Sequence, residues 1–411
     1  MKIAVVGGGA AGLMAAEMAR ETNPSEEIFL LEKNDGLGKK VIISGGGRCN
    51  VVTGVRDVRT VLTKYPRGGK FLSSAMYAFP PEAIFEWFED HGVPLKTEDD
   101  LRVFPCSDDG NDVVRVFADL FRSSSIHILL RANVQRIEKT ESGFFIQIKN
   151  HPQPLTVDRV ILTTGGQAYR QTGSTGDGYA FAISLGHTIT ALAPSLSSFT
   201  TRETWPAEVS GLSFTSAQIS ANTSSKAHFT GPFLFTHKGI SGPATFALSS
   251  LIAFEKFDPA HPIKISIDLF PEGTLEDLRT RLADATLQAP KKQSENVLSF
   301  LIPKSLAQIA VRELKIKEKR ANELSKTELL SIATWLKHIP LQVIGRGAGD
   351  EFVTAGGINL KEVDPKTMES LICPGLFFAG EILDIDGFTG GYNLSSSWAT
   401  GRLAGISAAA N

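Results

Sequence analysis

Residues 2–20, "KIAVVGGGAAGLMAAEMAR", decide the fold of this chain. The apolar run 3–6 suits a buried strand, and the pattern after the glycines suits a helix. Between them, Gly7, Gly9 and Gly12 form the spacing G-x-G-x-x-G. In such a junction the first glycine permits a tight turn, the second lets a diphosphate approach the backbone, and the third lets the helix pack on the strand. The stretch therefore predicts a Rossmann-type strand–turn–helix unit that holds a dinucleotide at a helix N-terminus.

An acidic residue at the expected distance supports this prediction. The run "EIFLLE" ends in Glu32, 20 residues after Gly12, where the acid of such a unit holds the ribose hydroxyls of adenosine. Glu32 disfavours a 2′-phosphate by charge repulsion, although Lys33 beside it weakens that inference. FAD and NAD share the adenosine half, so the fingerprint alone leaves both cofactors open. A glycine-rich turn without a ligand is the other interpretation.

Composition narrows the class of protein. The chain has 411 residues, of which 42% are hydrophobic and 21% charged, so it is long enough for two or three globular lobes. Its formal net charge of −2 argues against a nucleic-acid partner. The absence of a long apolar run and of a signal-peptide pattern predicts a cytoplasmic protein without a membrane partner. Three cysteines without a CxxC motif and eight scattered histidines predict neither a disulfide framework nor a metal site.

The order of strand and helix patterns predicts a discontinuous α/β fold. We expect a Rossmann-like nucleotide-binding domain with a three-layer, mostly parallel sheet, built from residues 1–190 and 346–411. A strand–turn–helix pattern near the end of the chain needs a sheet to join, and the N-terminal sheet is available. Stretches rich in Ser, Thr and Phe with regular turn signals predict a β-rich inserted domain at 191–272. Helical patterns predict a helical inserted subdomain at 273–345.

Several further stretches carry a family resemblance. They are "GLGKKVIISGGGRCN" (36–50), "QTGSTGDGYAFAISLGH" (171–187), "FTHKGISGP" (235–243), "VTAGGINL" (353–360), "DPKTMES" (364–370) and "FFAGEILDIDGFTGGYN" (377–393). Their order and spacing resemble the BaiN-like NAD(P)/FAD-dependent oxidoreductases over nearly the whole chain. The resemblance implies an FAD domain of the glutathione-reductase type with inserted barrel-like and helical parts. "TGDG", together with a Thr-Gly-Gly turn, is also similar to the fumarate reductase flavoproteins.

The resemblance also implies which residues contact FAD. The segment after the ribose-binding acid runs along the cofactor towards the isoalloxazine ring, and several glycine turns close around it. The implied contacts are Gly7, Gly9, Ala10, Ala11 and Gly12 at the diphosphate turn; Glu32 and Lys33 at the ribose; Ser44, Gly45, Gly46, Gly47, Arg48, Cys49 and Asn50 on the flavin side; Val134 at adenine; Thr164, Gly165 and Gly166 near the diphosphate; Gly380, Glu381 and Asp384 at the ribityl chain; and Gly390, Gly391, Tyr392 and Asn393 at the pyrimidine end.

Two residues are candidates for catalysis, His237 and Arg48. Pro243 suits the first position of a helix, which would make Gly242 its cap. His237 would then lie near a positive helix end, which favours the neutral imidazole of a general base or an orienting donor. A structural histidine is the alternative. For Arg48 the alternative is a structural salt bridge beside a tight turn, and for Cys49 a small buried packing residue is favoured over a redox role.

These observations predict an FAD-dependent oxidoreductase that carries out two-electron hydride chemistry on a small molecule, with NAD(P)H as a candidate reductant. A second complete G-x-G-x-x-G is absent, and "GRGAG" at 345–349 is expected to lack both a preceding strand and a following helix. An FAD-dependent RNA-modifying enzyme is the first alternative. A flavin-binding protein without turnover is the second. The sequence leaves the oligomeric state open.

Overall fold

The computed structural model describes residues 1–122, 124, 126–316, 319–347 and 352–410. The chain divides into two compact units. The first unit is formed by Met1–Ser195 together with Phe352–Asn411, and the second by Leu196–Glu351.

The first unit begins with alternating strands and helices. Its strands are β1 (Lys2–Val6), β2 (Glu27–Glu32), β3 (Val52–Thr53), β4 (Leu95–Thr97), β5 (Arg102–Pro105), β6 (Ile126–Leu130), β7 (Val134–Lys139), β8 (Phe144–Ile148), β9 (Leu155–Val157), β10 (Arg159–Leu162) and β11 (Ala193–Ser195). Its helices are α1 (Ala10–Thr22), α2 (Lys39–Ile43), α3 (Val58–Leu62), α4 (Gly69–Ala78), α5 (Pro81–Asp90), α6 (Gly110–Arg122) and α7 (Asp177–Ser184).

The second unit follows, and the chain then returns to the first. The strands of the second unit are β12 (Phe199–Thr201), β13 (Ser213–Ala221), β14 (His228–Thr236), β15 (Gly239–Ser241), β16 (Ile263–Asp268) and β17 (Ile339–Arg346). Its helices are α8 (Pro243–Leu251), α9 (Leu275–Gln288), α10 (Ser294–Leu298), α11 (Lys304–Glu313) and α12 (Lys326–Lys337). The returning segment forms β18 (Val353–Ala355), β19 (Leu376–Phe378) and α13 (Tyr392–Ala409).

A five-stranded parallel sheet organises the first unit. Its order is β19-β10-β1-β2-β6, and each neighbouring pair is parallel. The apolar residues of β1 and β10 are buried, as expected of strands covered on both faces. Because β19 comes from the end of the chain and pairs with β10, the prediction of one Rossmann-like sheet built from both chain ends is confirmed.

Close packing of α13 on α1 fixes the helix that follows the glycine turn. A Cβ atom added at Gly401 would lie 2.4 Å from the carbonyl oxygen of Ala11, and one added at Gly405 would lie 2.3 Å from that of Ala15. Real Cβ atoms do not approach an oxygen so closely. Glycines on one helix and alanines on the other therefore set a short distance between the two backbones, as small residues do at other helix contacts.

Three smaller sheets complete the first unit. The order is β3-β5-β4 in one, β7-β8-β9 in the second and β11-β18 in the third. The pairing of β11 with β18 joins segments about 160 residues apart, and no local pattern indicates it.

The second unit is a closed barrel with helices. Its strand order is β12-β15-β14-β13-β16-β17, and β17 pairs back with β12. Barrel residues such as Ile219 and Ile267 share one hydrophobic cluster with Leu282 and Leu336 of the helices. The expected β-rich and helical insertions are present, and their division into separate subdomains stays a prediction. The expectation that "GRGAG" lacks a preceding strand is wrong, because β17 ends at Arg346 inside it; its last residues lie outside the described ones.

Candidate functional site

The three glycines of the turn after β1 have different surroundings. Gly7 has φ +110°, and a Cβ there would lie 2.7 Å from the carbonyl oxygen of Thr163. A Cβ at Gly12 would lie 1.9 Å from the carbonyl oxygen of Gly7. At Gly9, in contrast, an added Cβ would meet no atom within 4 Å. The first and third glycines are thus required by the fold, whereas the second faces open space.

This open space adjoins the start of a helix that has free donors. Gly9 is the N-cap of α1 and provides no side-chain cap. The first N–H groups of a helix have no partner within it, and the helix dipole favours an anion there. Ala10 and Ala11 follow with small, buried side chains. The turn therefore fits the diphosphate of a dinucleotide.

Glu32 is fixed at the end of β2, next to that turn. Its Oε2 accepts a hydrogen bond from the Gly8 N–H at 2.8 Å, and its Oε1 accepts from the backbone N–H of Asn34 at 2.8 Å and from Asn34 Nδ2 at 2.7 Å. A carboxylate accepts about four hydrogen bonds, so room remains for a ribose hydroxyl. Lys33 donates instead to Thr175 and pairs with Asp177 at 2.7 Å. Lys33 is thus paired with another carboxylate, so it offsets less of the repulsion between Glu32 and a 2′-phosphate.

The adenosine side continues at the start of β7. The Ala132 N–H donates to the carbonyl oxygen of Glu32 at 2.9 Å, so Val134 begins its strand close to the end of β2. Val134 is 8% exposed. Its implied backbone contact with adenine stays a prediction, and its position agrees with one.

The second glycine loop forms a tight exposed turn. Ser44–Gly47 is a 3₁₀ turn in which Gly45, Gly46 and Gly47 have φ of +58°, +75° and +91°. Cβ atoms added at Gly46 and Gly47 would meet nothing within 4 Å. Side chains are excluded at these positions by backbone conformation and not by neighbours, so the loop presents bare backbone to open space.

The three residues after this loop are engaged within the protein. Arg48 donates to Glu98 at 2.7 Å, and its guanidinium lies 3.7 Å from the ring centroid of Phe104. This is the salt bridge of the alternative interpretation, and it gives Arg48 a positioning role; its catalytic role stays a prediction. Cys49 is fully buried, which raises the pKa of its thiol to about 12, so a packing role is favoured. The Asn50 side chain accepts from the Val103 N–H at 3.1 Å.

The carboxyl ends of β10 and β19 meet the first turn of α1. Thr163 donates to the carbonyl oxygen of Gly7 at 2.8 Å. A Cβ added at Gly380 would lie 2.8 Å from that of Ala11. Gly165 and Gly166 continue from β10, and Gly165 has φ +72°. The strand ends are thus gathered at one edge of the sheet, where ligands of open α/β sheets bind.

Buried polar atoms without a hydrogen-bond partner occur next to this edge. They include Thr164 Oγ1, Tyr179 Oη and Asp384 Oδ1. A Cβ at Gly178, beside Tyr179, would lie 2.0 Å from Thr164 Oγ1, which places α7 against the end of β10. Burial raises the pKa of the Asp384 carboxyl and of the Tyr179 hydroxyl. Such polar atoms are usually satisfied by a ligand or a water molecule, which fits a cofactor with many hydroxyl groups.

An ion pair at the same edge joins distant parts of the chain. Glu381 Oε1 accepts from the Thr354 N–H at 2.9 Å, and Oε2 forms an ion pair with Lys40. Lys40 also lies 3.5 Å from Ser174 Oγ. The sequence predicted Glu381 and missed Lys40, although Lys40 lies within the glycine-rich stretch 36–50. Nothing local indicates a partner 341 residues away.

The helix α13 begins with two glycines in left-handed backbone conformations. Gly390 and Gly391 have φ of +122° and +87°, and the N-cap Gly391 gives no side-chain cap. The Asn393 amide exchanges two hydrogen bonds with the backbone of Gly387, at 2.8 and 2.9 Å, and so holds the preceding loop. Tyr392 is buried, and its carbonyl oxygen accepts from Tyr65 at 2.7 Å.

His237 lies in the second unit, in the exposed turn between β14 and β15. As expected, Pro243 is the first residue of α8 and Gly242 its N-cap. The other candidate residues all belong to the first unit. The catalytic role of His237 therefore stays a prediction.

Comparison with known proteins identifies the family. The family model described as "HI0933-like protein Rossmann domain" matches residues 1–407. The chain belongs to the HI0933-like Rossmann family. It is 30% identical over 412 residues to a 3-dehydro-bile acid delta(4,6)-reductase of Clostridium scindens, with 99% of each chain covered. It is 27% identical over 408 residues to a ribosomal RNA dihydrouridine synthase of Haemophilus influenzae, with 98% of this chain and 97% of the relative covered. The resemblance to BaiN-like oxidoreductases is thereby confirmed.

Two solved structures have a fold similar to that of this chain. A quinol fumarate reductase of E. coli superimposes with a TM-score of 0.51 at 16% identity and covers 100% of this chain and 70% of that one. A 3-ketosteroid delta1-dehydrogenase of Sterolibacterium denitrificans gives a TM-score of 0.50 at 12% identity, with 99% of both chains covered. With the family and the glycine-turn geometry, the prediction of an FAD-dependent oxidoreductase is confirmed as a class.

None of the described helices combines the length and apolar character needed to cross a membrane. In the same part of the chain, no group of three or more His, Cys, Asp or Glu side chains is arranged to hold a metal ion.

Proposed function

We propose that this protein reduces a carbon–carbon double bond conjugated with a carbonyl group in a small molecule, in the cytoplasm, with FAD as its cofactor and NAD(P)H as its reductant. The observation that carries the FAD part of the proposal is the open space at Gly9, at the uncapped start of α1, with the carboxylate of Glu32 fixed by the adjacent Gly8 N–H. The substrate class rests on the named relatives. When bound, FAD would supply hydride transfer. The protein's own groups would bind this cofactor and orient the substrate.

The names of two relatives favour this substrate class. A Δ4,6 bile acid with a 3-oxo group contains double bonds conjugated with a ketone, and uridine contains a C5=C6 bond conjugated with its C4 carbonyl. In both, the carbonyl withdraws electrons and makes the carbon β to it electrophilic. The two-electron reduction places a hydride there and a proton on the α carbon, and NAD(P)H supplies the electron pair.

The first unit offers a binding group for each part of FAD. The α1 N-terminus would hold the diphosphate and Glu32 the adenosine ribose, while the bare backbone of Gly46 and Gly47 would let a flat ring system approach. His237 and Arg48 stay the candidates for catalysis, and Arg48 is already paired with Glu98.

Anaerobic spectroscopy tests the proposal. The protein should purify with FAD and be reduced by NADH or NADPH. It should then be reoxidised by a steroid dienone or a cyclic enone, but not by an alkene that lacks the carbonyl. Gly9→Val is the control without cofactor. Full reduction followed by no reoxidation with any conjugated carbonyl compound contradicts the proposal, and release of FMN contradicts the site.

An FAD-dependent RNA-modifying enzyme is the second candidate. It is favoured by the ribosomal RNA dihydrouridine synthases of H. influenzae and E. coli, which match nearly the whole chain at 27% and 26% identity. The net charge of −2 argues against it. Incubation of unmodified ribosomal RNA with the protein and NADPH, followed by mass spectrometry of the nucleosides, distinguishes the two. Dihydrouridine formation, absent with Gly9→Val, would favour the RNA substrate.

A further inference from the structure

We infer that Lys40 is the cation that compensates the negative charge of the FAD diphosphate, and that Glu381 holds this lysine at the diphosphate turn. The inference rests on the proposed function for the presence of FAD. It assigns a binding role to a lysine that the glycine and acid motifs do not include.

The position of Lys40 is fixed by contacts with the turn. The Gly38 N–H donates to the carbonyl oxygen of Gly8 at 2.8 Å, so α2 begins against the glycine turn. Lys40 follows two residues later, and its ammonium group reaches Glu381 and lies 3.5 Å from Ser174 Oγ. The ammonium therefore lies among segments that meet at the carboxyl edge of the central sheet.

Glu381 belongs to the same edge. A Cβ added at Gly166, after β10, would lie 2.9 Å from Glu381 Oε1. Gly380 packs against the first turn of α1, since a Cβ added there would lie 2.8 Å from the Cβ of Ala11. The Lys40–Glu381 pair is thus next to both segments that are implied to hold the diphosphate.

The charges at this edge call for a cation. A diphosphate would enter a region that already carries the carboxylates of Glu32 and Glu381, and repulsion between like charges is strong where water is partly excluded. The Lys33 ammonium group lies against Thr175 and Asp177 and not against Glu381. Lys40 and Glu381 have side chains that are 27% and 14% exposed, so their charges are less screened than those of a surface pair. Lys40 is thus poised to interact with a second, entering anion.

The neighbouring lysine is a matched control. Lys39 pairs with Asp35 at 2.6 Å, and both side chains are more than a third exposed. It has the same chemistry and lies on the same short helix. Lys39→Met therefore removes one positive charge from the chain without touching Glu381.

Two measurements on the full-length protein test the inference. In the first, FAD release from the holoenzyme is followed by flavin fluorescence as NaCl is raised. In the second, ADP and adenosine are titrated into the full chain after FAD removal. Lys40→Met should weaken FAD and ADP about 10- to 100-fold, the effect expected for a lost charge-assisted hydrogen bond. It should leave adenosine unchanged. Lys39→Met should behave like the wild type, and Lys40→Arg should recover most of the affinity.

The possible outcomes distinguish a failure of this inference from a failure of the proposed function. Unchanged ADP affinity in Lys40→Met overturns the role of Lys40 while FAD binding by the wild type stands. An equal loss for ADP and adenosine assigns Lys40 a structural role and also overturns it. Glu381→Gln keeps an oxygen that can accept from the Lys40 ammonium group, so it should change ADP affinity far less than Lys40→Met does; a loss as large as that of Lys40→Met contradicts the inference. A wild-type protein that binds neither FAD nor ADP contradicts the proposed function itself.

Discussion

At the scale of single residues, the glycines of the first turn have separable roles. Gly12 is needed for packing, because a Cβ would overlap the carbonyl oxygen of Gly7 at 1.9 Å. Gly9 faces open space, so a side chain there costs the fold little and would occupy the place that we propose for the diphosphate. The same residue type is thus required by packing at Gly12 and leaves room for a ligand at Gly9.

We predict that Gly9→Val loses most of its FAD while its free energy of unfolding, measured without FAD, stays close to that of the wild type. Gly12→Ala should lower that free energy by about 1–3 kcal/mol, as overpacking does. Urea denaturation of both variants and extraction of the bound flavin provide the comparison. A Gly9→Val protein with full FAD content would show that the diphosphate lies elsewhere.

The residues of the candidate site differ in how well the sequence could predict them. The glycine turn and Glu32 were predicted because their signal is local and has a fixed spacing. The partners of Arg48 and of Glu381 were not, because Glu98 and Lys40 come from segments that only folding brings together. Side-chain pairing between distant segments has no periodicity, so a single sequence does not reveal it.

At the scale of elements, the contact between α1 and α13 is built from small residues. In an exposed helix, replacing glycine by alanine stabilises by about 1 kcal/mol. Here the added methyl group would overlap the backbone of the partner helix. The expected sign is therefore reversed, which makes the contact testable by a single methyl group.

We predict that Gly405→Ala lowers the free energy of unfolding by about 1–3 kcal/mol and lowers FAD affinity, because α1 would shift. Gly36→Ala is the control, since a Cβ there would meet nothing within 4 Å. Thermal unfolding without FAD and flavin titration measure the two effects. Stabilisation by Gly405→Ala would mean that the two helices are further apart than the structure shows.

A second element-scale contact involves a buried histidine after α7. His187 Nε2 lies 2.8 Å from Ser370 Oγ, and Nδ1 lies 3.2 Å from Glu362 Oε2. The Ser370 hydroxyl also accepts from the backbone N–H groups of Ile372 and Cys373. Its proton is thus directed to Nε2, which favours the tautomer with the hydrogen on Nδ1; Nδ1 itself makes no hydrogen bond within the described residues. This buried arrangement anchors the loop before β19.

Burial lowers the pKa of His187 from its ordinary value of 6.5, against the opposing effect of Glu362. The unfolded chain therefore binds the proton more readily, and the stabilisation is present above pH 6.5 and lost as pH falls below it. We predict that the wild type is more stable than His187→Asn at pH 7.5 and that the difference shrinks towards pH 5. Urea denaturation across this range measures it. A difference that is constant with pH would show that His187 does not titrate in this window.

At the scale of the whole molecule, the sequence predicted the fold of the first unit in more detail than that of the second. The first unit follows from local signals at both chain ends, which require a common sheet. The closure of the barrel does not, since Phe199 and Arg346 pair although 147 residues separate them. The sequence indicated a β-rich insertion, and strand order depends on non-local pairing that competes among many registers.

We predict that residues 196–351 fold without the rest of the chain. Their strands close a barrel with no strand taken from the first unit, and β12 and β17 are neighbours within it. Their hydrophobic cluster is likewise drawn from this unit alone among the described residues. The excised unit should unfold cooperatively by far-ultraviolet circular dichroism, with dispersed NMR signals and no FAD binding. A shorter chain that begins at residue 202 lacks β12 and leaves β15 and β17 with unpaired edges, so it should aggregate. If 196–351 instead gives a non-cooperative transition while the full chain does not, the barrel depends on the first unit for its stability.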